Sequence, residues 1–380
     1  MPPVNCKPSV AEMGQGMTDD RRWVLVTDGR EGRGRDTVAA VRGLAAGGYH
    51  PAVTVISHSW GSAPSRFCAR RVQVPPVTST SYAAAVQAEL KSGSYLALLP
   101  TSEEALAALG VSRPDLLDKT TMSQAAEEAG LQVPPSQLFL SRKDAINHST
   151  ELEYPVVIKP TRRRYWAFRA DHPDQFATGM VREGPVIVQP YIEQPPRAIS
   201  GIVWQGRMLA AVHERWLRIW PVYCGLASAA ETISPDREME TRLLSLLAGY
   251  QGIFSAQFVG DYLIDVNLRV HSSHPLAVAA GVNLVALYCD LLGGKEVQSV
   301  RAREGVFYRW LEGDIRHVIK AVRSGRMSRG EALQTLRPRR GTVHSTESLR
   351  DPLAMVERIV SGLTRRVSTW TTSGEGIEYD

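Results

Sequence analysis

The sequence predicts an α/β protein in which a doubly wound N-terminal domain precedes a small α/β lobe and a larger lobe with a mixed sheet. Three observations lead to this prediction. Apolar runs alternate with helical patterns over residues 21–112, which indicates a parallel sheet covered by helices. Two apolar strands follow at 154–160 and 186–191. The segment 255–267 has the pattern of two strands around Gly260-Asp261, a dipeptide that favours a tight hairpin.

The N-terminal elements follow one another with short connections. The first strand, 23–27, ends at Asp28-Gly29, and the first helix, 37–46, ends at Gly47-Gly48. The other elements of this region are predicted as strands at 51–56, 72–74 and 95–99 and a helix at 81–90. This order is typical of a doubly wound domain.

Three glycines follow the first strand, at Gly29, Gly32 and Gly34. Their spacing differs from the G-x-G-x-x-G pattern of dinucleotide-binding loops, and Arg and Glu lie between them. A flexible strand-to-helix turn explains them better than a nicotinamide site.

Changes in pattern along the chain divide the sequence into five regions. We expect a disordered leader, an N-terminal α/β domain, a small central lobe, a large lobe and an Arg-rich helical segment, at 1–20, 21–112, 113–190, 191–300 and 301–380. Hydrophobic residues make up 43% and charged residues 22% of the chain, as in globular proteins. No run of about 20 apolar residues predicts a membrane helix.

Cysteine usage favours a reducing compartment. The four cysteines form no C-x-x-C pair, and the N-terminus lacks the apolar stretch of a secretion signal. We therefore expect a cytoplasmic protein without a disulfide framework or a zinc site. Cys224 has no histidine at a recognisable spacing, which speaks against a nucleophilic role.

The net charge of +5 comes from the C-terminal segment. Residues 301–366 carry 15 Lys and Arg against 7 Asp and Glu. Such clustering occurs in nucleic-acid-binding proteins, but it is more often a solvated helical face. Only Tyr308 and Trp310 are interleaved with the basic residues, so nucleic-acid binding is not expected.

Polar side chains on two predicted strands suit a polyanion and a divalent cation. Lys159 lies in an apolar strand, where an amine either reaches the surface or meets an anion. Asp265 and Asn267 are two residues apart on one strand face, and Gln257 can face them across the hairpin. Oxygen ligands of these types suit Mg²⁺, and Arg269 can hold a carboxylate or phosphoryl oxygen. An ordinary polar hairpin face is the alternative.

The order of these motifs resembles the ATP-grasp superfamily, and carboligase-like members in particular. The resemblance covers roughly 96–314 and rests on the segments 118–119, 129–134, 155–160, 186–189, 265–269 and 275–282, and on the tract 305–314. It implies a pre-ATP-grasp domain followed by a two-lobed ATP-grasp fold. It also implies a ligase that activates a carboxylate as an acyl phosphate and couples it to an amine, with ATP and Mg²⁺.

The resemblance implies a role for each matching residue. Lys119 and Lys159 would contact ATP phosphates, and Arg269 would stabilise the acyl phosphate. Glu193 would hold the ribose. The metal would be held by Gln257, Asp265 and Asn267, and adenine would lie at the hinge formed by Gln189, Pro190, Tyr191 and Ile192.

Three departures from the family pattern are visible. Gln257 and Asp265 stand where members usually have Glu, and Gln257 removes a charge. The loop 161–166 carries three arginines instead of Gly and Ser, and Leu268 replaces a proline. These departures leave open a second function, a non-catalytic ATP-binding regulatory protein.

The acceptor end of the site is less well defined by sequence. His213, Glu214 and Arg215 end a predicted strand, where they either face the acceptor pocket or cap a solvent edge. We favour the first alternative and predict that His213, Arg215 and Arg269 contact the substrate. Trp216, Trp220 and Tyr223 either line an aromatic pocket or pack in the core. The resemblance leaves the two substrates unnamed, and it admits a homodimer.

Overall fold

The computed structural model describes residues 22–162, 167–178 and 184–371, with the side chains of the last helix described as far as Ser361. The predicted leader and the arginines at 163 and 164 lie outside these ranges. Sixteen strands are described: β1 Trp23–Thr27, β2 His50–Val55, β3 Arg70–Gln73, β4 Tyr95–Pro100, β5 Gln137–Phe139, β6 Val156–Pro160, β7 Phe168–Ala170, β8 Val186–Pro190, β9 Pro196–Trp204, β10 Arg207–Trp220, β11 Leu226–Thr232, β12 Gly252–Val259, β13 Tyr262–Asn267, β14 Val300–Arg301, β15 Phe307–Arg309 and β16 Val343–His344.

Twelve α-helices are described in the same ranges: α1 Arg35–Ala46, α2 Tyr82–Ser92, α3 Glu103–Leu109, α4 Lys119–Glu128, α5 Arg142–Asn147, α6 Asp174–Thr178, α7 Arg237–Leu246, α8 His274–Ala279, α9 Leu284–Leu292, α10 Leu311–Arg323, α11 Arg329–Leu336 and α12 Pro352–Thr371. Within the described residues, none of these helices has the length and apolar character needed to cross a bilayer.

The N-terminal strands form a parallel sheet in the order β3-β2-β1-β4. Val24, Leu25 and Val26 of the central strand are completely buried, because helices cover both faces. The strands and the two helices predicted from the N-terminal sequence are confirmed, which fits a doubly wound arrangement.

A second, antiparallel sheet has the order β5-β8-β6-β7. Its core side contains Ile158 and Val188, which are cross-strand partners. Neighbouring residues along a strand point to opposite faces. Lys159, Gln189 and Arg169 therefore share the other face of this small sheet.

The third sheet is mixed and has the order β13-β12-β9-β10-β11-β15-β16, with β14 added beside β10. The predicted hairpin is β12 and β13, joined at Gly260, whose φ of 57° places it in the left-handed region that glycine adopts easily. One face of the sheet packs on α4 and α7 through residues such as Phe254 and Leu243. The other face meets α8, α9 and, from the N-terminal domain, α1.

Helix α1 packs closely against α8 and α9. A Cβ atom at Gly43 would lie 2.7 Å from Val285 Cγ2 and 2.7 Å from His274 Nε2. A residue with a side chain therefore does not fit there without movement of the packed neighbours. Arg42 Nε lies 2.8 Å from Asp351 Oδ2, and this ion pair connects α1 to the start of α12.

Candidate functional site

The strand register places the predicted metal residues side by side. Gln257 on β12 is the cross-strand partner of Asp265 on β13, and Ser255 is the partner of Asn267. Asn267 Nδ2 donates to Asp265 Oδ2 at 3.2 Å. The three predicted oxygen ligands thus occupy one patch on one face of the large sheet.

Lys119 reaches this patch from the first residue of α4. The preceding Asp118 caps the helix by accepting from Thr120 N at 3.0 Å. The backbone N of Lys119 donates to Thr161 O at 2.8 Å, which ties the helix to the segment after β6. The side-chain Nζ then lies 3.1 Å from Asp265 Oδ1.

Lys159 reaches the same hairpin from the small sheet. It is 6% exposed, and its Nζ donates to Ile264 O on β13 at 3.2 Å. Burial, and to a smaller extent the nearby Lys119, lower the pKa of Lys159 to about 7, although Asp265 opposes both effects. Two amines from separate elements thus lie near the Asp265 carboxylate, where the small sheet meets the hairpin.

Arg269 connects the patch to the N-terminal domain. Its Nη2 donates to Asn267 Oδ1 at 3.1 Å, and its Nη1 lies 2.6 Å from Asp36 Oδ2 in the first turn of α1. The arginine side chain is 4% exposed, and its buried Nε has no hydrogen-bond partner. The sequence analysis missed Asp36, because 233 residues separate it from Arg269.

A buried hydrogen-bonded chain runs from Gln257 away from the patch. His271 Nε2 lies 3.5 Å from Gln257 Nε2, and His271 Nδ1 lies 2.9 Å from Ser273 Oγ. Ser273 Oγ donates to Glu214 Oε1 at 3.0 Å, and Trp216 Nε1 donates to the same oxygen at 2.9 Å. Burial raises the pKa of Glu214 to about 7, although these two donors oppose the rise. The chain can therefore share a proton near neutral pH.

His271 and Ser273 are functional candidates that the sequence analysis missed. The available signal was their position directly after the Asp265–Arg269 motif, where a chain leaving a strand stays close to the site. Trp216 stacks on the His271 ring with centroids 6.1 Å apart, so it belongs to the core that orients this histidine.

His213 and Arg215 do not join this group. Residues 213 and 214 are successive on β10 and therefore point to opposite faces of the sheet. His213 is buried on the α7 side, where its Nε2 lies 3.0 Å from Glu240 Oε1. Arg215 is exposed and pairs with Glu231. A substrate role for these two residues stays a prediction that their placement does not favour.

The predicted hinge consists of the last two residues of β8 and the two residues that follow, beside the site face of the small sheet. Gln189 is buried, and its Nε2 donates to Ser136 Oγ at 2.6 Å. The backbone N of Tyr191 donates to Pro155 O at 2.9 Å. Ile192 is half-buried, whereas Pro190 and Glu193 are exposed.

An arginine lies between two aromatic rings next to the hinge. The Arg169 guanidinium is 4.2 Å from the centre of the Tyr191 ring and 4.5 Å from that of Tyr223. Tyr223 belongs to the loop between β10 and β11, so the contact joins the two sheets. Cys224 follows, and burial raises the pKa of its thiol to about 12, which disfavours a thiolate.

Comparisons with known proteins give the fold. No family model matches the chain. An L-amino acid ligase from Bacillus licheniformis is similar in structure, with a TM-score of 0.56 at 16% identity over 73% of this chain and 75% of that one. N5-carboxyaminoimidazole synthase from Aspergillus clavatus, solved with ADP and 5-aminoimidazole ribonucleotide, gives a TM-score of 0.56 at 13% identity over 75% and 81% of the two chains.

A third similar structure is phosphoribosylglycinamide synthetase from Anaerococcus prevotii, with a TM-score of 0.52 at 12% identity over 76% of this chain and 80% of that one. All three neighbours are ATP-grasp ligases. At these identities the likeness establishes the architecture, so the chain has the ATP-grasp fold and the predicted fold class is confirmed.

Proposed function

We propose that this chain is an ATP- and Mg²⁺-dependent ligase that activates a carboxylate as an acyl phosphate and couples it to an amine. The observation that carries the proposal is the meeting of Lys119 and Lys159 with Asp265. The two lysines come from separate elements, and both reach the hairpin that carries the oxygen ligands and Arg269. The fold that the chain shares with ATP-dependent ligases supports the same reaction class.

The lysines are placed to bind the triphosphate. Both amines lie in a largely buried place beside the hairpin, where Coulomb attraction to a phosphate group is strong. A bound triphosphate also favours the charged form of Lys159 and so reverses the fall in its pKa. Lys119 and Lys159 would then hold the phosphates while the carboxylate attacks the terminal one.

The donor set around Asp265 fits Mg²⁺. Mg²⁺ is usually held by one or two carboxylates together with phosphate oxygens and water. Asp265 supplies the carboxylate, and Asn267 and Gln257 supply amide oxygens on adjacent positions of the same sheet face. When bound, Mg²⁺ would neutralise charge on the phosphate oxygens.

The remaining residues serve the acceptor half of the reaction. The carboxylate takes the terminal phosphoryl group and ADP leaves; the amine then attacks the acyl carbon, and phosphate leaves. Arg269, held by Asp36, would stabilise the negative charge on the acyl phosphate. The attacking amine releases a proton, and the chain from His271 through Ser273 to Glu214 offers an acceptor.

The hinge is proposed to bind adenine and ribose. Gln189, Pro190, Tyr191 and Ile192 border the face of the small sheet that carries Lys159, with Glu193 exposed beyond them. Backbone groups there would read the base edge, and Glu193 would accept from the ribose hydroxyls. A cytoplasmic location and a homodimer stay predictions.

A non-catalytic ATP-binding regulatory protein is the second candidate. One observation favours it: the described residues contain no group of three or more His, Cys, Asp or Glu side chains placed to hold a metal ion. In the predicted ligand set, Gln257 and Asn267 supply amides, so Asp265 is its one carboxylate.

The test is release of ADP from ATP and Mg²⁺ with pools of amino acids and small carboxylic acids. We expect release that needs both a carboxylate and an amine, and its loss in Asp265→Asn and Lys159→Met. Asp261→Asn is the matched control, because Asp261 is exposed at the turn of the same hairpin and pairs with Arg197. Tight ADP binding without release in any pool would favour the regulatory protein. Absence of nucleotide binding would refute both candidates.

A further inference from the structure

Arg35, the first residue of α1, lies against the aromatic end of the large sheet. Its guanidinium carbon is 3.7 Å from the centre of the Trp310 ring. Its Nη1 is 3.5 Å from the Tyr308 hydroxyl, which in turn donates to Ser272 O at 3.3 Å. Arg35 therefore lies close to the segment that joins Arg269 to the His271 chain.

The strand register puts Arg35 on the same side of the sheet as the candidate site. Tyr308 on β15 is the partner of Ala230, and Ala230 is the partner of Trp216 on β10. Cross-strand partners share a face, and Trp216 shares its face with Glu214, two residues earlier. The Arg35 guanidinium thus borders the site through Tyr308.

The arginines around Arg35 form ion pairs with carboxylates, whereas Arg35 forms none with the residues that the structure describes. Arg33 lies 3.3 Å from Glu357, Arg358 lies 2.8 Å from Glu312, and Arg269 lies 2.6 Å from Asp36. Among the residues that the structure describes, no carboxylate oxygen lies within the 4.0 Å ion-pair limit of the Arg35 guanidinium. Burial lowers the pKa of Arg35, and Tyr308 and the Asp36 and Glu347 carboxylates oppose this fall.

Two buried donors lie on residues that contact Arg35 or its chain neighbour Asp36. Within the described part of the chain, Trp310 Nε1 and Arg269 Nε have no hydrogen-bond partner. A buried donor left unpaired destabilises the fold, so proteins usually satisfy such groups. A guanidinium that lies over an aromatic ring can still donate from its edge to a planar or tetrahedral anion.

We propose that Arg35, stacked on Trp310, holds a second anionic group of the ligase substrate, either a carboxylate or a phosphate monoester. The proposal rests on the proposed function, because it places this group beside the acyl phosphate held by Arg269. Guanidinium binds both groups through paired N–H donors, so their shared chemistry defines the site. The enzyme would therefore select substrates with an anion in addition to the reacting group.

The experiment is calorimetric titration of the nucleotide-free protein with inorganic phosphate and with succinate, at matched ionic strength. We expect the wild type to bind one of these anions, Arg35→Met to bind it at least about tenfold more weakly, and Arg35→Lys to fall between them. Arg33→Met is the matched control, because Arg33 is paired with Glu357; its anion affinity should equal that of the wild type.

The anion that binds identifies the substrate group: phosphate indicates a phosphate monoester, and succinate indicates a second carboxylate. Equal affinity in Arg35→Met and wild type, or absence of binding of both anions at millimolar concentrations, overturns the proposal. ADP titration of each variant checks that the site is folded. Because anion binding is measured without turnover, absence of ADP binding in the wild type would count against both proposed functions and not against anion binding at Arg35.

Discussion

Replacing Glu214 by glutamine should remove a large pH dependence of stability. The Glu214 side chain is 1% exposed, and the cavity beside it, of about 10 Å³, has room for about one water molecule. Burial raises its pKa from 4.5 to about 7, and this rise corresponds to about 3 kcal/mol. Because the folded pKa is raised, the folded state holds the proton more tightly than the unfolded state. The associated stability is present below about pH 4.5 and is lost as the pH rises to about 7.

Urea unfolding at pH 5 and pH 8 measures this effect. The free energy of unfolding of the wild type, relative to Glu214→Gln, should fall by about 2–3 kcal/mol between these pH values. Glu312→Gln is the matched control: burial would raise the pKa of Glu312, but Arg358 and Arg316 outweigh it and lower the pKa. The free energy of unfolding of the wild type, relative to Glu312→Gln, should therefore be the same at pH 5 and pH 8. An equally constant difference for Glu214→Gln would refute the reasoning about this carboxyl.

Three further changes test the packing around the site. Gly43→Ala should lower the free energy of unfolding by about 1–3 kcal/mol in urea titrations, because the new Cβ overlaps Val285; a neutral result would contradict this close approach. Asp36→Asn should cost about 2 kcal/mol in the same assay, since it leaves the Arg269 charge without its carboxylate, and unchanged stability would contradict the buried pair. His213→Asn should reduce stability by about 1–3 kcal/mol yet leave the ADP affinity unchanged in calorimetry; a weaker affinity would place His213 in the site after all.

The part of the site that local pattern encodes could be predicted from the sequence. The hairpin and its Gly260-Asp261 turn could be predicted, and they bring Gln257 and Asp265 onto adjacent strands; the pairing of these two residues depends in addition on a bulge between Gln257 and Phe258 that the sequence does not indicate. A lysine in an apolar strand likewise predicted an anion near Lys159. These inferences need only residues that are close in sequence.

The choice of face on β10 could not be predicted in the same way. This strand lies in the middle of the large sheet, where helices cover both faces, so residues 208–214 are all buried. Alternation then gives no signal for which side meets the site. The sequence analysis favoured His213 and Arg215, whereas the pairing of β10 with β9 puts Glu214 on the site face.

Contacts between segments that are far apart in the chain also could not be predicted from the sequence. Asp36 meets Arg269, and Arg35 meets Trp310, only because α1 packs against the large sheet. That packing depends on Gly43, whose role is invisible until its neighbour Val285 is known. The glycine-containing segment before α1 was predicted to be a turn. In the structure this turn leads into α1, whose first residues lie at the edge of the site.

Gln257 offers the sharpest distinction between the ligase and the regulatory protein. In Gln257→Glu the new carboxylate would be the cross-strand partner of Asp265, with Cβ atoms roughly 5 Å apart. At an effective dielectric constant of about 20, two such charges repel by about 3 kcal/mol, and solvent screening reduces this to about 2 kcal/mol. A divalent cation between them reverses the sign of the interaction.

Calorimetric titration with ADP, with and without Mg²⁺, measures this reversal. If Gln257 faces the metal, Mg²⁺ should increase the ADP affinity of Gln257→Glu at least about tenfold more than that of the wild type, which corresponds to about 1.4 kcal/mol. Gln87→Glu is the matched control, because Gln87 is exposed on α2 in the N-terminal domain. Equal Mg²⁺ effects in all three proteins would show that residue 257 does not contact the cation. Asp265 and Asn267 would then have to hold it alone, and the regulatory protein would become the better explanation.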